Sequence, residues 1–230
     1  MRQTLPVLAI CLLLAGACSA QRPATPALEL AEQAKQAATA NERLIARTLD
    51  ACLASLAADA AAGRTPSIDI LILSGGADWG AFGAGFLRAW AERPADDPMA
   101  MPAFDLITGI STGSLIAPFT ALGKHAEVDE LYRNSDPSWS ESRFFSSLFS
   151  GESLYDISRL EAEIDAATDR HLLDGLRAAR GPQVVIATAD VDLGILRLWD
   201  LAEQAADRER LRRLQRAAIA IPAAFEPVLI

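Results

Sequence analysis

The sequence predicts an α/β domain with a mainly parallel central sheet and helices on both faces, preceded by an N-terminal helix. Three observations carry this prediction. Short runs of branched aliphatic residues alternate with helix-length segments, two glycine-rich turns each follow such a run, and a separate helical segment precedes them. The 230 residues are enough for one such domain with a sizeable core and an N-terminal appendage.

Composition and charge narrow the function classes. Hydrophobic residues make up 51% and charged residues 22% of the chain, which is typical of a folded globular protein. The net charge of -9 and the pI of about 4.8 argue against a nucleic-acid partner and against docking of a basic patch on an anionic membrane. We expect any lipid contact to be apolar or covalent, and we expect no metal and no cofactor.

Residues 1–18 have the pattern of an export signal. A basic residue precedes a short apolar run, Leu5–Leu14, which is too short to span a bilayer but suits a signal peptide. The segment Leu14–Cys18 resembles a bacterial lipobox, in which Cys18 becomes the lipidated first residue, although Ala15 stands where leucine is usual. We expect an exported membrane lipoprotein, with signal peptidase I cleavage and a secreted or periplasmic protein as the alternative.

Residues 19–66 are predicted to form a tether and an amphipathic helix. Residues 19–40 are rich in Ala, Gln, Glu and Pro, whereas residues 41–62 repeat apolar side chains at helical spacing. These apolar positions are Ile45, Leu49, Leu53 and Leu56. The polar residues are too few and too mixed in sign for a membrane-lying helix, so we expect the helix to pack on the following domain. Cys52 is expected to be a small apolar residue on a helix face.

Residues 67–230 alternate strand-like and helix-like segments, which is the basis for the mainly parallel sheet. Predicted strands lie at residues 68–73, 104–108, 184–189 and 195–201, and predicted helices at residues 81–91 and 112–122. Residues 135–155 carry aromatic side chains among polar ones. This long insert indicates either a substrate-facing cap or a packed surface loop.

The first chemical motif is the segment Gly109–Gly113, with Ser111 at its centre, directly after a predicted strand. A serine at a strand-to-helix turn projects its hydroxyl above the sheet, and the elbow glycines Gly109 and Gly113 let the chain turn tightly. The positive end of the following helix favours the oxyanion that forms in acyl transfer. Because a bare Gly-x-Ser-x-Gly pattern is common, its position at a strand–helix boundary is what makes Ser111 a candidate nucleophile.

The second motif is the glycine-rich segment Ser74–Gly80, which follows the first predicted strand and leads into a helix. Such a turn exposes several backbone N–H groups and can bind either a phosphate or the oxyanion of an ester intermediate. A nucleotide site would favour a P-loop lysine or a complete dinucleotide fingerprint, and Ala77 interrupts that fingerprint. The presence of the elbow serine favours the oxyanion.

These two motifs and a third segment, residues 218–228, occur in the same order as in the patatin-like phospholipase family, which residues 68–230 resemble. The resemblance implies that Ser111 attacks an acyl carbonyl, that the glycine-rich loop supplies the oxyanion hole, and that an aspartate rather than a histidine acts as base. The oxyanion donors that it implies are the backbone N–H groups of Gly75, Gly76 and Ala77. It also implies a lipid or related ester as substrate.

Two positions depart from the family's pattern. Ala77 stands where the family usually has glycine, and alanine can donate the same N–H only if the loop does not need a positive φ there. Trp79 stands where the family often has a basic residue. The oxyanion hole would then depend on backbone dipoles alone, or Trp79 would line the acyl site instead.

The C-terminal end departs further. The family's aspartate lies in an Asp-Gly-Gly or Asp-Gly-Ala motif shortly after the segment that matches residues 221–227. Here the chain continues with the apolar residues Val228–Ile230, which predict the start of a buried strand. We therefore expect the sequence to be a fragment whose catalytic aspartate lies outside it, and we expect low activity from the 230-residue chain.

Other titratable residues are weaker candidates for the base. His125 and His171 lie in polar helical segments and are expected to be solvated, and no later histidine could complete a triad of the α/β-hydrolase type. Asp105 lies in the predicted elbow strand and is expected to be structural. Asp190 and Asp192 follow a predicted strand at the kind of edge where active sites gather, which keeps them as minor alternatives.

The sequence thus predicts a serine lipid acyl hydrolase that works through a Ser111 acyl-enzyme. Two alternatives stay open: a catalytically inactive or lipid-binding relative, and a general esterase of the α/β-hydrolase class, which the lack of a late histidine disfavours. The expected partners are a lipid or ester substrate and, through Cys18, a membrane.

Overall fold

The computed structural model describes residues 25–134, 141–142, 155–178, 181–221 and 224–230, so the predicted signal segment with Cys18 and most of the predicted insert lie outside it. The strands are β1 (Ile70–Leu73), β2 (Leu106–Ile110), β3 (Glu141–Ser142), β4 (Tyr155–Asp156), β5 (Gln183–Asp190) and β6 (Ile195–Asp200). The helices are α1 (Ala27–Ala61), α2 (Gly80–Ala91), α3 (Thr112–Ala121), α4 (His125–Arg133), α5 (Ser158–Ala167), α6 (Arg170–Ala178), α7 (Leu201–Gln204) and α8 (Arg208–Ile219). A 3-10 turn, Ala77–Trp79, precedes α2.

A four-stranded sheet of order β1-β2-β5-β6 forms the centre of the fold. β1, β2 and β5 are parallel and β6 is antiparallel to β5, which confirms the predicted α/β class with a mainly parallel sheet. β5 is buried without interruption from Val184 to Thr188, so both of its faces are covered. β2 ends at Ile110 rather than at Thr108 as predicted, and therefore runs up to the residue before Ser111.

α3 is the helix that fixes the elbow in the fold. Almost all of it is buried, and it contacts β1, β2 and β5 at once. Ile116 and Phe119 are 3% and 6% exposed, and burying side chains of this size contributes about 1.5–3 kcal/mol each. The N-terminus of α3, and Ser111 with it, is therefore held firmly at the carboxyl edge of the sheet.

α1 differs from its prediction in length and in the face that it buries. It begins at Ala27, so most of the predicted tether is helical, because alanine has the highest helix propensity and this segment is rich in it. Ile45, Leu49 and Leu53 are 48–61% exposed, so the prediction that they form the packing face is wrong. The side chains that are buried instead are Ala37, Leu44 and Cys52. No helix among the described residues, α1 included, is long and apolar enough to cross a membrane.

Hydrogen bonds, rather than the apolar stripe, set the face of α1 that packs. The Asn41 side chain donates to the Leu196 carbonyl oxygen at 2.7 Å and accepts from the Leu198 N–H at 3.0 Å. These two bonds satisfy backbone groups of the edge strand β6, which would otherwise be left open. Ser55 donates to the Asp105 carboxylate, which also accepts from the Asp69 N–H, so Asp105 has the structural contacts expected of it. The expectation that the helix packs on the following domain is confirmed.

Residues 224–230 form no strand. Leu229 and Ile230 are 73% and 48% exposed, so the prediction of a buried strand beginning at Val228 is wrong. None of the described strands pairs with this segment. Because its backbone N–H and C=O groups have no partner strand, they stay exposed to water instead of being buried in a sheet.

Candidate active site

Ser111 lies at the turn between β2 and α3, where the Gly-x-Ser-x-Gly pattern predicts it. Its backbone has φ 52° and ψ -128°, a conformation that costs a non-glycine residue about 1–3 kcal/mol and that clusters at functional sites. Such a conformation persists only where the surroundings impose it, as the buried α3 does here. The Ser111 hydroxyl makes no hydrogen bond within the described part of the chain, so it is available to a ligand.

The elbow glycines bring β2, α3 and β1 into close contact. A Cβ on Gly109 would lie 2.4 Å from the Gly113 carbonyl oxygen, and a Cβ on Gly113 would lie 2.2 Å from the Leu73 carbonyl oxygen. Both contacts are with backbone atoms, which cannot move aside as a flexible side chain can. Because Leu73 ends β1, the same close approach also sets where the loop after β1 begins.

That loop lies directly against Ser111. A Cβ on Gly75 would lie 3.0 Å from the Ser111 Cβ and 3.6 Å from its Oγ. The Thr112 hydroxyl donates a 2.9 Å hydrogen bond to the Ala77 carbonyl oxygen, which joins the loop to the start of α3. The two motifs meet because β1 and β2 are parallel neighbours, and loops that leave adjacent parallel strands at their carboxyl ends lie side by side.

The three expected oxyanion donors are available in this loop. Within the described residues, the N–H groups of Gly75, Gly76 and Ala77 donate no hydrogen bond. Ala77 has a φ of 46°, so the loop does need a positive φ at the position where the family usually has glycine. Alanine can still present its N–H in this conformation, at a cost of about 1–2 kcal/mol.

Trp79 is the second departure from the family's pattern. Its side chain is 82% exposed, and it is not among the residues that line the cavity beside Ser111. The alternative in which Trp79 replaces the basic residue by lining that cavity is therefore wrong. The groups beside Ser111 that remain for the expected oxyanion hole are the backbone N–H groups of the loop and the positive end of α3.

An apolar cavity of about 370 Å³ opens at Ser111 and extends among α2, α3, α4, α5 and α8. Its walls are mainly aliphatic and aromatic, formed by Leu115, Phe119, Val128, Leu131, Leu160, Ile164 and Ile219. Asp78, Thr112 and Tyr132 provide polar groups near the serine end, and Glu163 and Gln215 provide others. A concave, mostly apolar space with a few polar groups suits an acyl chain attached to a polar ester.

An ion pair between Arg88 of α2 and Asp129 of α4 joins the two helices, and Arg133 pairs with Asp129 within α4. The Asp129 carboxylate accepts hydrogen bonds from Arg133 at 2.7 Å and from Arg88 at 2.8 Å, and its side chain is almost completely buried. The Arg133 guanidinium, and then that of Arg88, lowers the pKa of Asp129. This anchor keeps Tyr132, the neighbour of Arg133, beside the glycine-rich loop. Burial raises the pKa of Tyr132 to about 12, so the phenol keeps its proton at neutral pH.

The histidines are not placed as catalytic bases. His125 is only 8% exposed, so the expectation that it is solvated is wrong, whereas His171 is exposed as expected. Burial lowers the pKa of His125, and its Nδ1 has no hydrogen-bond partner within the described residues. Neither histidine lines the cavity at Ser111.

The two minor alternatives for the base lie in the β5–β6 hairpin. Asp190 accepts a 3.1 Å hydrogen bond from the Leu193 N–H and forms a 3.3 Å ion pair with Arg197, so it stabilises that turn. Asp192 lies within the turn, and neither aspartate lines the Ser111 cavity. The structure gives no support to either as the base.

Sequence reasoning missed the contacts that Thr112 and Tyr132 make. Thr112 occupies a variable position of the Gly-x-Ser-x-Gly pattern, and nothing in the sequence indicates that its side chain reaches back to Ala77. Tyr132 belongs to a different helix, and only the packing of α4 on α2 brings it to the site. Contacts between elements that are distant in sequence leave no local signal of this kind.

The fold and the site define a class: an α/β protein with a serine at a strand–helix elbow, a glycine-rich loop against it, and an acyl-sized apolar cavity beside it. A family model described as patatin-like phospholipase matches residues 71–230, and the chain belongs to that family of lipid acyl hydrolases. A comparison with curated proteins gave no match.

Proposed function

We propose that the protein is a serine lipid acyl hydrolase that forms an acyl-enzyme on Ser111. The observation that carries this proposal is the strained Ser111, with its hydroxyl free, against a glycine-rich loop at the mouth of an apolar cavity. Membership of the patatin-like phospholipase family supports a lipid ester as the substrate class.

In this mechanism Ser111 Oγ attacks the ester carbonyl carbon while its proton passes to a base. The carbonyl oxygen becomes an oxyanion, stabilised by N–H groups of the glycine-rich loop and by the positive end of α3. Collapse of this intermediate breaks the bond to the alcohol, which takes up the proton and leaves, while the acyl chain stays in the cavity. Water then attacks the acyl-enzyme through the same proton route and releases a carboxylic acid.

The base in this proposal is an aspartate in an Asp-Gly-Gly or Asp-Gly-Ala context, as the family resemblance implies. Asp78 and Glu163 are carboxylates that line the cavity, but neither precedes a glycine. We therefore assign the base to neither of them. The function is best tested on the purified protein.

Ester hydrolysis by that protein tests the proposal. We expect cleavage of chromogenic acyl esters, and we expect Ser111→Ala to abolish it because the replacement removes the nucleophile. Ser67→Ala, at an exposed serine before β1, is the matched control and should hydrolyse like the wild type. Undiminished hydrolysis by Ser111→Ala would refute the mechanism, and lipid binding without any turnover would favour the inactive lipid-binding alternative.

The proposed location is a bacterial membrane, at the outer membrane or on the periplasmic side, reached through lipidation of Cys18. The support is the pattern of residues 1–18 together with a substrate class that is found in membranes. A palmitate analogue fed to a bacterial host should label the protein, and Cys18→Ser should remove the label. A soluble, unlabelled mature protein would favour signal peptidase I cleavage instead.

A further inference from the structure

The glycine-rich loop has a conformation that its own sequence does not favour. Ala77 has a φ of 46°, in the left-handed region that residues with a Cβ rarely adopt. Glycine would populate this region freely, but alanine by itself would return to negative φ. Some contact outside the loop must therefore hold Ala77 in place.

That contact comes from the residue next to the nucleophile. The Thr112 hydroxyl donates to the Ala77 carbonyl oxygen at 2.9 Å, and Thr112 is only 6% exposed. The Ala77 carbonyl belongs to the same rigid peptide plane as the Asp78 N–H. Holding the carbonyl therefore fixes this plane and restricts how far the backbone of Ala77 can turn.

A second hydrogen bond orients the Thr112 hydroxyl. Tyr132 is hydrogen-bonded to Thr112, and since the single hydroxyl hydrogen of threonine goes to Ala77, the Tyr132 phenol is the donor. Gly80 provides the space for this arrangement. A Cβ on Gly80 would lie 2.1 Å from the Thr112 Cγ2 and 2.6 Å from the Tyr132 hydroxyl oxygen.

We propose that Thr112 is a positioning residue that holds the backbone of Ala77 at positive φ, the conformation in which the glycine-rich loop presents its N–H groups to the oxyanion, and that Tyr132 acts through Thr112. The proposal rests on the proposed function for the reaction that it serves. The conformation of the loop then depends on two side chains outside it, Thr112 on α3 and Tyr132 on α4.

Four variants of the complete protein test the proposal. Thr112→Val keeps the shape of the side chain and removes the hydroxyl, and Thr112→Ser keeps the hydroxyl. Ala77→Gly removes the conformational penalty, and Tyr132→Phe removes only the phenol oxygen. The readouts are kcat and KM on a short acyl ester and the melting temperature of each variant.

We expect Thr112→Val to lower kcat about tenfold with KM nearly unchanged, because the loop acts on the oxyanion rather than on the bound ester. Thr112→Ser should recover most of this loss. In the Ala77→Gly background the same Thr112→Val change should cost about threefold or less, because glycine keeps the loop conformation accessible without the hydroxyl. Equal losses in both backgrounds, or a change in KM alone, would overturn the proposal.

Tyr132→Phe is the second line of evidence if Thr112→Val folds poorly. It should lower kcat in the wild-type background, and it should have a smaller effect in the Ala77→Gly background, because its contact acts through the Thr112 hydroxyl on Ala77. An effect of Tyr132→Phe that is the same size in both backgrounds would contradict the assignment.

Melting temperatures separate this proposal from the function itself. If the wild type hydrolyses no ester, the proposed function fails, but the restraint on Ala77 can still be measured. Thr112→Val should then lower the melting temperature by about 2–4 °C in the wild type, and by less than half of that in Ala77→Gly. Equal shifts in the two backgrounds would overturn the restraint.

Discussion

The elbow and the glycine-rich loop differ in how tightly their glycines are packed. In the elbow, a Cβ added to Gly109 or Gly113 would lie 2.4 or 2.2 Å from a backbone atom. In the loop, a Cβ added to Gly75 or Gly76 would lie 3.0 or 3.2 Å from the Cβ atom of a side chain. The burial of the two regions differs in the same sense. The residues that follow Ser111 in α3 are almost all buried, while most of the glycine-rich loop is exposed.

This difference indicates that the elbow contributes to the stability of the fold, whereas the loop affects the chemistry at Ser111. The elbow is fixed by close packing of α3 on three strands, so its geometry is part of the stability of the domain. Residues 75–77 of the loop are fixed by their attachment to β1 and by a hydrogen bond to Thr112, so this part of the loop can change with little effect on the rest of the molecule. Substitutions in the two segments should therefore have different consequences.

The largest effect is expected from Gly113→Ala. Its Cβ would lie 2.2 Å from the Leu73 carbonyl oxygen, and relief of this clash requires β1 or α3 to move. We expect a loss of about 3 kcal/mol or more in the free energy of unfolding, at the upper end of the usual cost of overpacking. Chemical denaturation monitored by circular dichroism measures it.

Gly83→Ala is the matched control for that measurement. Gly83 lies within α2, and a Cβ there would meet the Ile116 Cδ1 at an ordinary 3.8 Å. Replacing a helical glycine by alanine should increase stability by about 0.5–1 kcal/mol. If Gly113→Ala were as stable as Gly83→Ala, the elbow would not have the tight packing described for it.

A smaller effect on stability, but a clear effect on reactivity, is expected from Gly75→Ala. Its Cβ would press against the Ser111 Cβ at 3.0 Å, a contact that a small shift of the exposed loop relieves. We expect the unfolding free energy to fall by about 1 kcal/mol or less, and the rate of Ser111 labelling by a fluorophosphonate to fall about tenfold. If Gly75→Ala lost as much unfolding free energy as Gly113→Ala and its Ser111 were labelled at the wild-type rate, the distinction between the elbow and the loop would be wrong.

The smallest effect concerns α4, the helix that supports the loop through Tyr132. Burial lowers the pKa of His125 below its value of about 6.5 in the unfolded chain, so the unfolded chain binds a proton more readily as the pH falls. Stability should therefore decrease between pH 7.5 and pH 5.5. The carboxylates whose pKa is lowered, such as Asp129, lose their contribution only at lower pH.

Melting temperatures at these two pH values measure the effect. His125→Gln should reduce the decrease, whereas His171→Gln, at an exposed position, should leave it as in the wild type. Both histidines of the chain are thereby compared directly. If the melting temperature of His125→Gln fell as much as that of the wild type, the pH dependence would come from groups other than this buried imidazole.

The position of the elbow could be predicted from the sequence because its signature is contiguous in the chain, although the packing of α3 is what fixes its geometry. A serine between two glycines after an aliphatic strand has few other conformations that place its hydroxyl above a sheet, and the structure has Ser111 directly after β2. The alternation of strands and helices gave the α/β class for a similar reason, since the period of the apolar residues reports which faces are buried.

The remaining features depend on packing between distant segments. Lys124 and Glu127 make the neighbourhood of His125 look solvent-facing, yet packing of α4 buries the imidazole. The apolar residues of α1 suggest one buried face, yet the two hydrogen bonds from Asn41 to the edge of β6 select another. The positive φ of Ala77 could not be predicted from the loop sequence, because it is Thr112 in a distant segment that holds the Ala77 carbonyl oxygen.

The most direct test of the Ser111 mechanism is a crystal structure of the protein after reaction with a fluorophosphonate, whose phosphorus forms a bond to Ser111 Oγ as fluoride leaves. The phosphonyl oxygen then occupies the position of the oxyanion. We predict that this oxygen lies about 2.7–3.1 Å from N–H groups of the Gly75–Ala77 loop and that the alkyl chain lies in the cavity lined by Leu115 and Phe119. A phosphonyl oxygen that points away from the loop, or a label on another residue, would contradict it.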